Sequence, residues 1–263
     1  MKEFSTKWQC KPKEKRGVIC AADRTQEWLL PWWWERYSEH NSYPVTFFDF
    51  GMTEEARVWC QEKGQLISAP IDTSFVAPRS QIDDALAKEW EGFYGWTVWN
   101  SRPSWFKKPF AYLKSPYRKG IWLDLDCEVL GSLEPLFSYN GLALAREYTT
   151  DHLPSTDPHV RFNGGVVVFE HGAPIIEKWA EGALKRNHLV WSDDMLLSQL
   201  IAEQKFQVAE IPDDYNWRFA QGFNLNAVVL HWVGSGGKAY IRKHGGLKPA
   251  LDAFYQSCRG KLR

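Results

Sequence analysis

The sequence predicts one α/β domain in which a mixed, mainly parallel sheet is flanked by helices. Short runs rich in β-branched and aromatic residues alternate with segments of helical periodicity, which is the pattern of βαβ units. At 263 residues the chain is long enough to bury one large core. Neither an internal repeat nor a break in composition divides the sequence, so a single domain is the simplest interpretation.

The elements of the first half follow from this alternation. The first helical segment restarts at Pro31, because proline is tolerated in the first turn of a helix. Residues 71–101 show no clear period and are interpreted as an excursion from the sheet. In chain order, strands are predicted at 17–22, 44–49, 65–68 and up to Asp124, and helices at 25–40, 53–63 and 104–114.

The second half continues the same pattern. Its strands are short and apolar, and they are bounded by glycine and polar residues. In chain order, strands are predicted at 141–145, 165–169, 206–211 and 227–230, helices at 174–186 and 192–204, and a polar, basic tail at 241–263.

Charge and cysteine content exclude several functional classes. The 32 basic and 32 acidic residues balance, so the chain lacks the basic surplus typical of a nucleic-acid-binding domain. The five cysteines (Cys10, Cys20, Cys60, Cys127 and Cys258) are scattered, which indicates reduced thiols rather than a disulfide framework or a zinc site.

The hydropathy pattern bears on location. The N-terminus does not resemble a signal peptide, and no apolar run approaches the roughly 18 residues that a transmembrane helix needs. We therefore expect a cytoplasmic protein, and a peripheral contact with a membrane is left open.

Two aspartates interrupt an apolar run in the stretch GIWLDLDCEVL. Asp124 and Asp126 are expected at the carboxyl end of a central strand, where ligands bind in open α/β sheets. Residues two apart on a strand point the same way, so the two carboxylates would share a face. Paired carboxylates suit a hard divalent cation such as Mg²⁺ or Mn²⁺. The alternative is a pair of solvated aspartates at the end of a strand.

A second group of polar residues lies about a hundred residues later, in LHWVGSGGK. The strand before it ends at His231, and a glycine-rich turn then leads to Lys238. Imidazole is a common ligand of Mn²⁺ and other transition ions. A glycine-rich turn can direct backbone N–H groups at an anion, and lysine supplies a charge for phosphate.

Five motifs in order resemble the retaining nucleotide-sugar glycosyltransferases of family 8, the relatives of glycogenin and of bacterial lipopolysaccharide galactosyltransferases. The resemblance spans about residues 17–240. The motifs are Lys108 placed 16 residues before Asp124, WLDLDCEV, FNGGV from Phe162, SDDMLL from Ser192, and LHWVG with Lys238.

This resemblance implies a GT-A-type, Rossmann-like fold with a nucleotide-binding half at about 17–130 and an acceptor and sugar half at about 131–240. The implied activity is that of a hexosyltransferase. A nucleoside diphosphate sugar, UDP-linked by preference, would donate its sugar to a hydroxyl of a carbohydrate or glycoconjugate acceptor with retention of configuration. The implied cofactor is Mn²⁺ or Mg²⁺.

The resemblance also assigns roles to individual residues. The implied catalytic residues are Asp124, Asp126, Asn163, Asp193 and Asp194. Of these, Asp124 and Asp126 join His231 as metal ligands, Asn163 lines the sugar together with Gly164, and Asp193 and Asp194 face the sugar hydroxyls and the acceptor. The residues implied for the nucleotide, the ribose and the diphosphate are Ala21, Ala22, Asp23, Lys108, Asp124, Leu125, Gly234 and Lys238.

The sequence departs from the family pattern in two places. Asp194 stands where the family has glutamine, and Lys238 lies one residue further from His231 than the family lysine does. Some assignments also have structural alternatives. Lys107 could replace Lys108, the segment after Asn163 is a good turn sequence, and an acidic pair at a helix start is favoured by the helix dipole alone.

Two other functions compete with glycosyl transfer. One is a non-catalytic carbohydrate-binding protein on a transferase fold, and the other is a Mg²⁺-dependent phosphatase of the aspartyl-phosphate type. The sequence also has 15 tryptophans, several of which we expect to line a cleft. Trp96, Trp99 and Trp217 are the predicted stacking positions for an acceptor.

Overall fold

The structure is a computed structural model that describes residues 11–68, 71–147, 161–222 and 224–250. The strands in these ranges are β1 (Glu14–Ala22), β2 (Val45–Asp49), β3 (Gln65–Ile67), β4 (Tyr117–Leu123), β5 (Cys127–Val129), β6 (Leu142–Arg146), β7 (Phe162–Glu170), β8 (Ala209–Glu210), β9 (Trp217–Arg218) and β10 (Val229–His231).

The α-helices in the described ranges connect these strands. They are α1 (Leu30–His40), α2 (Glu54–Lys63), α3 (Asp84–Tyr94), α4 (Val98–Trp105), α5 (Lys108–Leu113), α6 (Pro174–Arg186), α7 (Asp193–Gln204) and α8 (Gly234–His244). Each of them is too short or too polar to cross a bilayer.

A seven-stranded sheet forms the centre of the molecule. Its strand order is β3-β2-β1-β4-β7-β6-β8. All neighbouring pairs are parallel except the two that involve β7, which runs antiparallel to β4 and to β6. The predicted fold class, a mixed and mainly parallel sheet flanked by helices in one domain, is therefore confirmed.

A second, three-stranded sheet with the order β5-β10-β9 lies beside the first. β5 begins directly after the two aspartates, and β10 ends at His231. The antiparallel register of these strands pairs His231 with Cys127. This small sheet therefore brings together two motifs that are about a hundred residues apart in the sequence.

The central strands are buried on both faces. On β1, Val18 and Cys20 pack into a core with α1, whereas Ile19 faces the opposite core, which α5, α6 and α7 cover. This alternation follows from the two-residue period of a strand. Strands covered on both faces read as continuous apolar runs, which is why they were recognisable in the sequence.

Several helix bounds agree closely with the predictions. α6 occupies the predicted range 174–186. α2 starts one residue later than predicted, because Thr53 is its N-cap and accepts a hydrogen bond from the backbone N–H of Ala56 at 3.3 Å. Ser192 caps α7 in the same way, with Met195 as the donor.

Other predicted bounds were wrong. Residues 71–101, interpreted as an excursion without a clear period, contain α3 and the start of α4. The predicted helix 104–114 is divided at residues 106 and 107, and Pro109 lies in the first turn of the second piece, where proline is favoured. The predicted strand 206–211 contributes only two residues, β8.

The largest correction concerns the glycine-rich segment after His231. Instead of a turn, residues from Gly234 onward form α8, which also includes residues 241–244 of the predicted tail. Gly234 has a φ of +78°, a conformation open to glycine, and the chain turns there from β10 into the helix. Buried Ile241 anchors the helix to the core, and this packing overrides the low helix propensity of three glycines. Residues 251–263 lie outside the described ranges.

Candidate active site

Asp124 and Asp126 lie in a turn between β4 and β5. The N–H of Cys127 donates to the carbonyl of Asp124 at 3.0 Å and closes the turn, and the N–H of Asp124 donates to Gly165 on β7 at 2.8 Å. The two aspartates were predicted to share a face because they lie on one strand. They lie in a turn instead, so that reason was wrong. Leu125 between them is buried in the core, and the turn brings both carboxylates towards His231.

The three predicted metal ligands lie together at this turn. Nε2 of His231 lies 3.3 Å from Oδ1 of Asp126 and 3.9 Å from Oδ2 of Asp124. Lys238 of α8 forms an ion pair with the other oxygen of Asp126. Burial alone would raise the pKa of Asp126, but Lys238 and His231 outweigh it and hold that pKa below its usual value.

A chain of amide groups orients the imidazole of His231. The N–H of Gly165 donates to Oδ1 of Asn163 at 2.9 Å, which identifies that atom as the amide oxygen. The same oxygen accepts from Nδ2 of Asn216 at 2.9 Å, so the oxygen of Asn216 faces Nδ1 of His231 at 3.0 Å. Nδ1 of His231 therefore donates to Asn216, and this bond turns Nε2 towards the aspartates.

This donor set fits a hard divalent cation. The lone pairs of His231 Nε2 and Asp126 Oδ1, 3.3 Å apart, repel each other unless a proton or a cation lies between them. Carboxylate oxygen and imidazole nitrogen are ligands that suit Mn²⁺. Cys127 also lies within reach of this group. Burial raises the pKa of its thiol well above the usual value, so it stays protonated, and it contacts the carbonyl of Gly165 at 3.6 Å.

Glycine at position 165 makes room for the imidazole. A Cβ atom at Gly165 would lie far inside van der Waals contact with the ring of His231. The neighbouring Gly164 faces the other half of the site, where a Cβ atom would meet Asp194 at 3.3 Å and Nζ of Lys108 at 3.8 Å. The segment after Asn163 is therefore part of β7 and a packing surface for the site, rather than a turn.

Lys108, which the family resemblance assigns to the donor, forms an ion pair with Asp124. Its Nζ is 2.9 Å from Oδ1 and 3.1 Å from Oδ2 of Asp124, and Nε1 of Trp122 donates to the same carboxylate at 2.7 Å. Burial alone would lower the pKa of Lys108, but Asp124 and Asp193 outweigh it and raise that pKa. Lys107, the alternative candidate, instead donates to the carbonyl of Phe50 at 2.6 Å.

Asp193 and Asp194 start α7 next to Lys108. Burial, followed by the charges of Asp194 and Asp124, raises the pKa of Asp193 to about 7 even though Lys108 acts in the opposite direction. One oxygen of Asp193 is buried without a hydrogen-bond partner among the described residues. Asp194 accepts from the N–H of Met195 at 2.8 Å and so takes part in capping the helix.

Lys238 and Gly234 lie at the first turns of α8. A Cβ atom at Gly237 would overlap the carbonyl of Trp232, so glycine there lets the helix pack directly on the end of β10. The N-terminus of a helix of this length favours an anion, because unpaired backbone N–H groups and the helix dipole point at it. The predicted phosphate-binding role of this segment thus keeps a physical basis, in a helix rather than a turn.

The predicted base-binding residues lie at the carboxyl end of β1. Ala21 and Ala22 end the strand, and Asp23 follows it. Both carboxylate oxygens of Asp23 already have partners, because one accepts from the N–H of Thr25 at 2.8 Å and the other pairs with Ser104 of α4. The side chain of Asp23 therefore stabilises the turn after β1 and joins this turn to α4.

The predicted stacking positions are only partly exposed. Trp96 is exposed to 64% of its surface. Trp99 packs against Trp90 and donates to Glu91 at 2.8 Å, and Trp217 packs against the core and donates to the carbonyl of Gly222 at 2.9 Å. Of the three, only Trp96 thus presents most of its surface to solvent.

Comparison with solved structures confirms the fold. The glycosyltransferase GlyE of Streptococcus pneumoniae TIGR4 matches with a TM-score of 0.57 and 21% identity, over 85% of this chain and 55% of GlyE. The galactosyltransferase LgtC, solved with donor and acceptor sugar analogues, matches with a TM-score of 0.55 and 13% identity, over 86% of this chain and 94% of LgtC. Mouse xyloside xylosyltransferase 1 matches with a TM-score of 0.51 and 12% identity, over 82% of this chain and 97% of the mouse protein.

These matches establish that the chain has the GT-A fold of these glycosyltransferases, as the motifs predicted. The chain spans about half the length of GlyE. No protein-family model and no curated protein matches the sequence. At such low identity the similarity concerns the fold, so the activity has to be argued from the site itself.

Proposed function

We propose that this protein is a metal-dependent glycosyltransferase that moves a sugar from a nucleoside diphosphate sugar, UDP-linked by preference, to a hydroxyl of a carbohydrate acceptor with retention of configuration. The observation that carries this proposal is the meeting of Asp124, Asp126 and His231 at one turn, with Lys238 and the start of α8 beside them. Glycosyltransferases with the same fold support it.

The residues would share the work as follows. Asp126 and His231 would hold the cation directly and Asp124 would reach both the cation and the ribose. The bound cation would act as a Lewis acid on the departing diphosphate. Lys238 and the N–H groups of α8 from Gly234 onward would neutralise the remaining charge of that diphosphate.

The second half of the site would hold the sugar and the acceptor. Lys108 pairs with Asp124, and it lies close enough to Asp193 and Asp194 for their charges to raise its pKa, so one lysine would border both the nucleotide and the sugar subsites. A pKa near 7 lets Asp193 either accept or donate a hydrogen bond to a sugar hydroxyl. Asp194, at its side, would face the acceptor. Asn163 would act indirectly, because its amide already bonds Gly165 and Asn216.

Hydrolysis of the donor tests this proposal without knowledge of the acceptor. Purified protein should slowly release UDP from one or more members of a panel of UDP-sugars in Mn²⁺, lose this activity after dialysis against EDTA, and regain it when Mn²⁺ is restored. Asp124→Asn should lower the rate at least a hundredfold, since it removes both a cation contact and the partner of Lys108.

The matched control is Asp72→Asn, which changes an exposed aspartate of the chain and should leave the rate unaltered. Saccharide binding without release of UDP from any donor would instead favour the non-catalytic carbohydrate-binding alternative. Metal-dependent release of phosphate from a generic phosphate ester would favour the phosphatase.

A further inference from the structure

Four aromatic side chains from two separate segments form one partly exposed surface, which we call the aromatic platform: Phe93, Tyr94, Trp105 and Trp191. The ring centroids of Phe93 and Trp191 lie 5.6 Å apart, those of Tyr94 and Trp191 6.0 Å, and those of Tyr94 and Trp105 5.8 Å. Phe93 is 69% exposed and Tyr94 42% exposed. Exposed apolar patches of this kind mark binding surfaces.

A buried arginine holds the two segments together. Arg102 of α4 donates to the carbonyls of Val190, Trp191 and Asn187 at 2.5, 3.0 and 2.8 Å. Its guanidinium also lies over the ring of Trp90, 4.7 Å from the centroid. These contacts hold α3, which carries Phe93 and Tyr94, and α4 against the chain segment that carries Trp191. The platform is therefore preorganised, which lowers the entropic cost of binding.

The platform is continuous with the sugar side of the candidate active site. Trp191 immediately precedes the cap of α7, whose first turn carries Asp193 and Asp194. Burial, followed by the charge of Asp194, raises the pKa of Tyr94 to about 12, which is consistent with a phenol close to that carboxylate. At its other end Trp105 closes α4, three residues before Lys108. Along the chain, the platform is thus two and three residues from Asp193 and Asp194 at one end and three residues from Lys108 at the other.

We infer that the aromatic platform binds a pyranose ring of the acceptor saccharide and so directs an acceptor hydroxyl towards Asp194. This inference rests on the proposed function and adds the residues that would choose the acceptor. It differs from the sequence prediction, which placed acceptor stacking at Trp96, Trp99 and Trp217.

The chemistry of the surface favours a saccharide over an aliphatic ligand. Neighbouring rings of the platform are tilted by 49° to 64° to one another, so each exposed ring offers its own flat face, and such a face matches the apolar C–H face of a pyranose. A polar group lies beside these rings, where sugar hydroxyls would emerge: the guanidinium of Arg161 lies over the ring of Trp191, 5.6 Å from its centroid. Aromatic rings with a polar tip suit a ligand that has one apolar face and hydroxyl groups exposed to solvent.

An array of immobilised glycans tests the inference directly. The full chain, in buffer with Mn²⁺ and UDP, should bind a subset of the glycans. Phe93→Ser removes one exposed ring without opening the core and should weaken that binding about fivefold, the size expected for one aromatic contact. Trp105→Leu should weaken binding to the same glycans.

The matched control is Val58→Ser on α2, which also removes an exposed apolar side chain and should leave the glycan profile unchanged. Glycan binding that is unaffected by Phe93→Ser and Trp105→Leu would overturn the inference, as would the absence of glycan binding. Binding to phosphatidylcholine vesicles, or dimerisation, that these variants abolish would assign the surface to lipid or to a second copy and would also overturn it. Calorimetry of UDP with Mn²⁺ on the wild-type chain separates the two hypotheses, because failure there contradicts the proposed function itself.

Discussion

His231 owes its role as a candidate ligand to a residue that does not touch the metal site. Asn216 accepts a hydrogen bond from Nδ1 and so turns Nε2 towards the aspartates that would hold the cation with it. Metal-binding histidines generally depend on such a partner for their tautomer and ring orientation. Asn216 is in turn held by Asn163, whose oxygen is oriented by the backbone of Gly165. The orientation of the imidazole is therefore set by the central sheet.

Asn216→Leu should weaken the binding of Mn²⁺ by about tenfold or more, because His231 would lose the hydrogen bond that fixes its tautomer. Titration of free Mn²⁺ by electron paramagnetic resonance measures this affinity without any enzymatic assay.

The control is Asn226→Leu, an exposed asparagine ten residues later in the chain, which should bind Mn²⁺ like the wild type. An unchanged Mn²⁺ affinity in Asn216→Leu would show that the amide chain does not position the imidazole.

At this scale the sequence predicted the residues that carry charge, and missed those that orient them. Asp124, Asp126, His231 and Lys108 belong to motifs with a fixed order. Asn216 does not, because its relation to His231 exists only once β9 and β10 pair in the small sheet.

Glu128 shows how one buried carboxylate holds a whole element in place. It is fully buried on β5, and it accepts from the N–H groups of Leu247 and Lys248 at 2.7 and 2.8 Å and from Nε1 of Trp232 at 2.9 Å. Arg36 of α1 lies 3.5 Å from it. Glu128 thus fixes the chain just beyond α8, the helix that carries Lys238. The role of this residue could not be assigned from the sequence.

Glu128→Gln should lower the free energy of unfolding by about 3 kcal/mol, because it leaves the buried guanidinium of Arg36 with only the exposed Glu35 as a counter-charge. Urea unfolding followed by tryptophan fluorescence measures this change.

Glu35→Gln is the matched control. Glu35 contacts the same arginine at 3.2 Å, but its side chain is 69% exposed, and exposed ion pairs contribute little. Its unfolding midpoint should therefore stay at the wild-type value. Equal midpoints for the two variants would contradict the account of Glu128.

Elements were predictable where local sequence and packing agree. The N-caps Thr53 and Ser192 gave helix starts within one residue. The apolar runs gave the central strands but not all their bounds, since β1 and β7 each begin three residues before the predicted start. α8 was not predictable from propensity, since three glycines in its first turns are poor helix formers and the helix depends on packing against Trp232 and the core.

The whole molecule brings the candidate site together through its topology. The parallel strands end at one edge of the main sheet, and the small sheet places β10 beside the turn that follows β4. This arrangement could be predicted as a fold class from the alternation of strands and helices. The packing of α3 and α4 against residues 187–191 could not be predicted. It depends on hydrogen bonds from Arg102 to backbone carbonyls, and backbone carbonyls carry no sequence signature.

The most direct test of the central claim is calorimetry of UDP binding, with and without Mn²⁺, to the wild type and to Asp126→Asn. Asp126 is the only residue at the site whose carboxylate contacts both His231 and Lys238 among the described residues. We expect wild-type UDP binding to require Mn²⁺ and to weaken at least a hundredfold in Asp126→Asn, while Asp72→Asn binds normally. UDP binding that is independent of Mn²⁺, or equal in the wild type and Asp126→Asn, would contradict the account.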